Sequence, residues 1–79
     1  MGVHRQATKS QVTRIANAIN REFPNKNARP SHDNRRGWTL SVASDALDVD
    51  YALAGHASIP ADMYLEPLDD TVLGLFYHC

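Results

Sequence analysis

Cysteine occurs once in the 79 residues, at Cys79. One thiol excludes an internal disulfide framework and a multi-cysteine metal knuckle, and it is the usage expected of a reducing compartment. No apolar run approaches the roughly 20 residues that cross a membrane. The opening MGVHRQATKS lacks the apolar stretch of a signal peptide, and Gln6 stands where a myristoylation signal needs Ser or Thr. The reading is a small soluble cytoplasmic protein. Internal repeats and low-complexity tracts are missing. So are a GXXG loop, the paired aromatics of RNA-binding sheets and a second helix at helix-turn-helix spacing. At this length the chain makes one domain, 1–79, burying only about 60% of the surface it exposes when unfolded.

Cations are missing from one half. Residues 1–44 hold all eight Lys and Arg (Arg5, Lys9, Arg14, Arg21, Lys26, Arg29, Arg35 and Arg36) against Glu22 and Asp33, a net +6. Residues 45–79 hold the other seven of the nine anions and no Lys or Arg, a net −7. The overall charge of −1 conceals this split, which points to charged partners unless the two halves neutralise each other on folding.

The strongest local pattern is TKSQVTRIANAINREF, Thr8 to Phe23. Val12, Ile15, Ala16, Ile19 and Phe23 recur at i, i+3, i+4 and i+7, which predicts a helix burying one stripe, with Arg14 and Arg21 on the other side. Thr8 and Gln11 have the spacing of a capping box, with Ser10 a competing cap, and Pro24 ends the helix. Residues 1–7 read as frayed. Asn25 to Gly37, NKNARPSHDNRRG, reads as a long basic loop, a length that is usually functional or disordered. Trp38 to Ser44 alternates like a half-buried strand.

Asp45 to Gly55 fits two patterns. Val49, Tyr51 and Leu53 alternate as a strand over 48–53, the favoured reading, whereas Leu47, Tyr51 and Ala54 fit a helix capped by Ser44 and closed by Gly55. Pro60 at a first helical position, with Pro67 beyond, predicts a short second helix. Asp69-Asp70 makes a turn, and Thr71 to Tyr77 is a central strand in which Gly74 marks a bulge or a close contact with the helix. The expected fold class is α+β: one amphipathic helix packed on a small, mainly antiparallel three-stranded sheet, with a short second helix. A dimer that extends the sheet through the last strand is compatible with it.

Two charged surfaces follow as candidate partner-binding faces. The basic one comprises Arg14, Arg21, Lys26, Arg29, Arg35 and Arg36, with His32 beside them and Trp38 for stacking; Arg forks match phosphate in a bidentate way. The acidic one comprises Asp45, Asp48, Asp50, Asp62, Glu66, Asp69 and Asp70. On a strand Asp48 and Asp50 would lie about 6.6 Å apart, approaching the spacing of successive phosphates. Met63 and Tyr64, on the short helix, are expected to be exposed beside this row as interface anchors.

Enzymatic and metal readings are weaker. Ser31-His32-Asp33 has the letters of a hydrolase triad, but three consecutive residues cannot align nucleophile, base and acid. His4, His32, His56 and His78 show no zinc-motif spacing, and Cys79 has only His78 nearby to activate it. The sequence therefore predicts no catalytic residues, no metal and no cofactor. Small size with separated charge describes a non-enzymatic protein that binds a protein partner, in the manner of phage- or mobile-element-encoded inhibitors of nucleic-acid machines such as anti-CRISPR proteins. The alternative is a small regulator that binds nucleic acid directly through the basic helix face and loop.

Overall fold

The computed structural model describes residues 6–78. Helix α1 spans Lys9–Glu22. The Thr8 hydroxyl accepts the Gln11 N–H at 3.2 Å, and the Gln11 side chain accepts the Thr8 N–H at 2.9 Å, so Thr8 rather than Ser10 is the cap. Val12, Ile15, Ala16 and Ile19 are buried as their spacing requires, joined by Ala18, while Phe23 leaves helical geometry and is only half-buried. Ala7 is also buried in the core, so the chain is tied down earlier than expected; the fraying read for residues 1–5 lies outside the described residues.

The expected loop at 25–37 is largely ordered structure. A 3₁₀ turn at Pro24–Lys26 leads through left-handed Asn27 (φ 52°) into strand β1, Arg29–Asp33, paired antiparallel with β2, Gly37–Ser41. The Asn20 side chain fastens the entry, donating to the Ala28 carbonyl at 2.8 Å and accepting its N–H at 2.7 Å. At the hairpin tip Asp33 Oδ1 accepts the N–H groups of Arg35 at 2.7 Å and Arg36 at 3.2 Å, a turn that Gly37 completes at φ 75°. Strand β1 is invisible to hydrophobic periodicity because it is an edge strand, and all of it but Pro30 is exposed.

Residues 45–55 form a helix, not the favoured strand. Helix α2, Ala46–Leu53, buries Ala46, Val49 and Leu53, and its first N–H donates to the Asp70 carbonyl at 2.9 Å. Its cap is Asp45, held left-handed at φ 54°, in place of Ser44. The short helix expected after Pro60 is instead a turn, closed by Met63 N–H to the Pro60 carbonyl at 2.9 Å, followed by strand β3, Met63–Asp69. There Met63 and Leu65 point inward, Tyr64 and Glu66 outward. Strand β4, Val72–Tyr77, is central as expected, lying between β2 and β3. It pairs with β3 along its length and with β2 over Val72–Gly74, so it is an interior strand and not the sheet edge that the dimer expectation needs. The bulge falls on β3 at Pro67/Asp69; Gly74 makes its close contact with the Phe76 ring and Leu68 rather than with a helix.

The fold is thus α+β with two α-helices on one face of a four-stranded antiparallel sheet ordered β1-β2-β4-β3, one strand more than expected. Leu40, Leu73, Leu75, Met63 and Leu65 meet both helices in one apolar cluster. The chain runs αββ twice, and the strand order is unchanged when the halves are exchanged. Helix α1 lies over β1 and β2, and α2 over β3 and β4. The charge division of the sequence therefore becomes a division across the sheet.

Candidate protein-binding surface

Among the described residues two ion pairs form: Lys26 with Asp45 at 3.8 Å and His56 with Glu22 at 3.3 Å. No arginine side chain in this range forms an ion pair with a carboxylate. The halves do not neutralise each other, and the two faces stay chemically distinct.

The acidic side is assembled by the bond between the Ala46 N–H and the Asp70 carbonyl, which fastens the β3–β4 turn to the start of α2. Asp45 and Asp48 from the helix and Asp69 and Asp70 from the turn line one cleft of about 440 Å³, with Leu47 and Leu68. Asp48 in the first turn of α2 suits the positive end of the helix dipole. Asp69 also orders its own turn, accepting the Thr71 N–H at 2.8 Å. Beside the cleft Leu47 is 54% and Tyr51 74% exposed, the two most exposed large apolar side chains among the described residues. Sequence reasoning missed both as surface anchors; the signal was the Leu47, Tyr51, Ala54 spacing of the rejected helical reading.

The helix breaks up the expected row of anions. Two residues on a helix are separated by about 200° of turn, so Asp48 faces solvent and Asp50 turns toward β3. There burial, and secondly the charge of Glu66, raise the Asp50 carboxyl above its ordinary value. Asp62 stands apart at the far end of the sheet, where its carbonyl accepts the His78 N–H at 2.9 Å. Of the expected anchors Tyr64 is 38% exposed, but Met63 is buried because it sits on the inner face of a strand.

On the basic side Lys9, Ser10, Thr13, Arg14, Asn17 and Arg21 line a shallow concavity of about 470 Å³ along α1. Arg29 is exposed on β1, and Arg35 and Arg36 at its hairpin tip. The hairpin N–H groups of Arg35 and then Arg36 hold the Asp33 carboxyl below its usual value. Lys26 does not belong to this face: its ammonium donates to the Ser44 carbonyl at 3.1 Å and pairs with Asp45, at the seam between the halves.

The histidines are dispersed. His32 meets the Trp38 ring edge-on at 5.0 Å, and His78 stacks on Tyr64. His4 and Cys79 lie outside the described residues, among which no cluster of three metal-ligating side chains forms. One unexpected constellation does appear. His56 Nδ1 accepts the Ser58 N–H at 3.1 Å and lies 2.9 Å from its hydroxyl, while Nε2 reaches Glu22. The order is that of a serine–histidine–carboxylate triad, but Ser58 is buried and lines none of the clefts described here, so the trio clasps the α2–β3 connection to the end of α1.

No family model matches this chain, no curated protein matches it, and no solved structure matches its fold.

Proposed function

We propose that the protein is a non-enzymatic, anti-CRISPR-like inhibitor of the phage or mobile-element type that docks its acidic side on the basic, phosphate-binding surface of a nucleic-acid-handling protein. The observation that carries this reading is the convergence of Asp45, Asp48, Asp69 and Asp70 around one cleft beside exposed Leu47 and Tyr51. Interfaces take their energy from desolvated aromatic and apolar anchors, whereas surrounding charges set approach and specificity. Carboxylates ringing an apolar spot match a basic protein groove, and they repel nucleic acid itself.

The test is charge reversal at the two carboxylates that cap nothing. Asp48→Lys with Asp70→Lys should weaken capture of the partner complex from the native host about a hundredfold or more, because opposed like charges cost several kcal/mol. Arg14→Glu with Arg21→Glu should leave capture intact. The opposite pattern would sink the reading.

A second reading rests on the unneutralised cations of α1: Lys9, Arg14 and Arg21 share one exposed face with Asn17, as a phosphate backbone would require. In that case duplex DNA or RNA binds directly, and log affinity falls linearly with log salt. Gel shifts that stay flat at low salt remove it.

A further inference from the structure

A second cleft, of about 610 Å³, lies farther along the two elements that frame the acidic one. The acidic cleft takes residues 45–48 and 67–70; this one takes Ala54 from the end of α2, Met63 and Leu65 from β3, and Ile59 from between them. Strand β3 is an edge strand, unpaired on the side away from β4. The His78 N–H donates to the Asp62 carbonyl, so alternation along the ladder turns the main-chain groups of Met63, Leu65 and Pro67 to the outer edge. The Met63 N–H is taken by the Pro60 carbonyl, and Pro67 has none to offer. Leu65 keeps both groups. No hydrogen bond among the described residues reaches its outward N–H and C=O, although the residue is only 8% exposed. Nearly buried main-chain groups are normally paired, and the complement of a donor and acceptor on a strand edge is the main chain of another extended segment.

We propose that the protein partner adds an extended, cation-bearing segment antiparallel to β3, exchanging both main-chain hydrogen bonds with Leu65. Side chains of an added strand alternate between the two faces. The one opposite Leu65 enters the cleft beside Ala54, Ile59 and Met63, which favours a β-branched aliphatic residue. Its neighbour opposite Glu66 lies on the other face of the sheet, where a lysine or arginine meets that exposed carboxylate. The next, opposite Pro67, returns to the acidic cleft, which Pro67 itself lines with four aspartates, and a second cation fits there. An acidic segment is repelled from the same place. Pro67 keeps the added strand short, because its missing N–H ends the run of donors. The inference rests on the proposed function for the basic character of the partner, but pairing at Leu65 is testable without that partner.

The experiment is an NMR titration of the full chain, near neutral pH and low salt, with the capped pentapeptide Ac-Arg-Lys-Val-Thr-Val-NH2, whose central valine is the residue set opposite Leu65. The Leu65 amide signal should shift saturably, with millimolar half-saturation, and its hydrogen exchange should slow. Methylating the nitrogen of the central valine removes the donor to the Leu65 carbonyl and leaves every side chain and charge in place. It should weaken binding about tenfold, as expected when a buried acceptor loses its hydrogen bond. A probe with two glutamates in place of Arg-Lys should bind more weakly still. A methylated or acidic probe that binds as well as the first, or a Leu65 amide that stays fixed while other signals move, would overturn the proposal. So would a Leu65 shift that grows with protein concentration alone, which would assign the edge to a second copy of the chain. The Asp48→Lys, Asp70→Lys variant separates the two readings. If it keeps its native partner while the probe pairs with Leu65 in the parent, the proposed function fails and strand addition stands. If it loses that partner while the parent's Leu65 amide ignores the probe, only strand addition fails.

Discussion

Asp50 and Asp33 are both aspartates near cations or anions in sequence, yet the fold drives them in opposite directions. Burial and Glu66 raise the Asp50 carboxyl, so the folded state holds that proton more tightly than the unfolded state does. Its contribution to stability is present in acid and is lost as pH rises through the raised value. Asn at this position is neutral throughout. Asp50→Asn should therefore match the parent in acid, below the unfolded carboxylate value of about 3.9. Near neutrality it should exceed the parent by up to about 0.5 kcal/mol, a small gain because the site is partly solvated. Urea denaturation at the two pH values measures this. Asp33, held low by the Arg35 and Arg36 N–H groups, behaves conversely: its contribution is present above the ordinary carboxylate value and is lost as pH falls through the lowered one.

The strand β4 shows how much one side chain's absence contributes to an element. A Cβ at Gly74 would lie 2.5 Å from the Phe76 ring and 3.1 Å from Leu68, because that ring lies over the glycine on the face of the sheet away from the helices. Gly74→Ala should cost about 1–3 kcal/mol by overpacking, and clearly less in a Phe76→Leu background, a coupling that thermal melts of the four proteins would expose. Elements with a buried stripe and a flanking signal were legible before any coordinates: α1 with its capping box, β2 from Trp38 and Leu40, β4 from its apolar run. Two others were exchanged. Val49 and Leu53 belong to a helix whose Leu47 and Tyr51 face water, so an alternation that looked like a strand was in fact two faces of a helical turn. Pro60 and Pro67 suggested the limits of a helix, yet one closes a turn and the other sits on a strand edge. Strand β1 carried no signal, since an exposed edge strand needs no apolar residues. Of the seven anions expected on one face, Asp45, Asp48, Asp69 and Asp70 converge on one cleft, whereas Asp50, Asp62 and Glu66 do not line it. The grouping of those that do depends on one backbone bond, from Ala46 to Asp70, that no local pattern encodes.

At the scale of the molecule each edge strand carries a proline, Pro30 in β1 and Pro67 in β3. The Val42 N–H donates to the Thr71 carbonyl, and the His78 N–H to that of Asp62. Alternation along each strand then puts the amide positions of Pro30 and Pro67 on the outer edges, where a missing N–H interrupts pairing with another chain. Replacing both with Thr should raise concentration-dependent association, seen by analytical ultracentrifugation as a mass increase absent from the parent. The two αββ halves, one cationic and one anionic, also make the protein a permanent electric dipole pointing across its sheet. A neighbour's field exerts a torque on such a body before it exerts much net pull, as the total charge is only −1. The molecule would thus reach a highly charged target already turned the right way round, so that fewer collisions are wasted on the wrong flank.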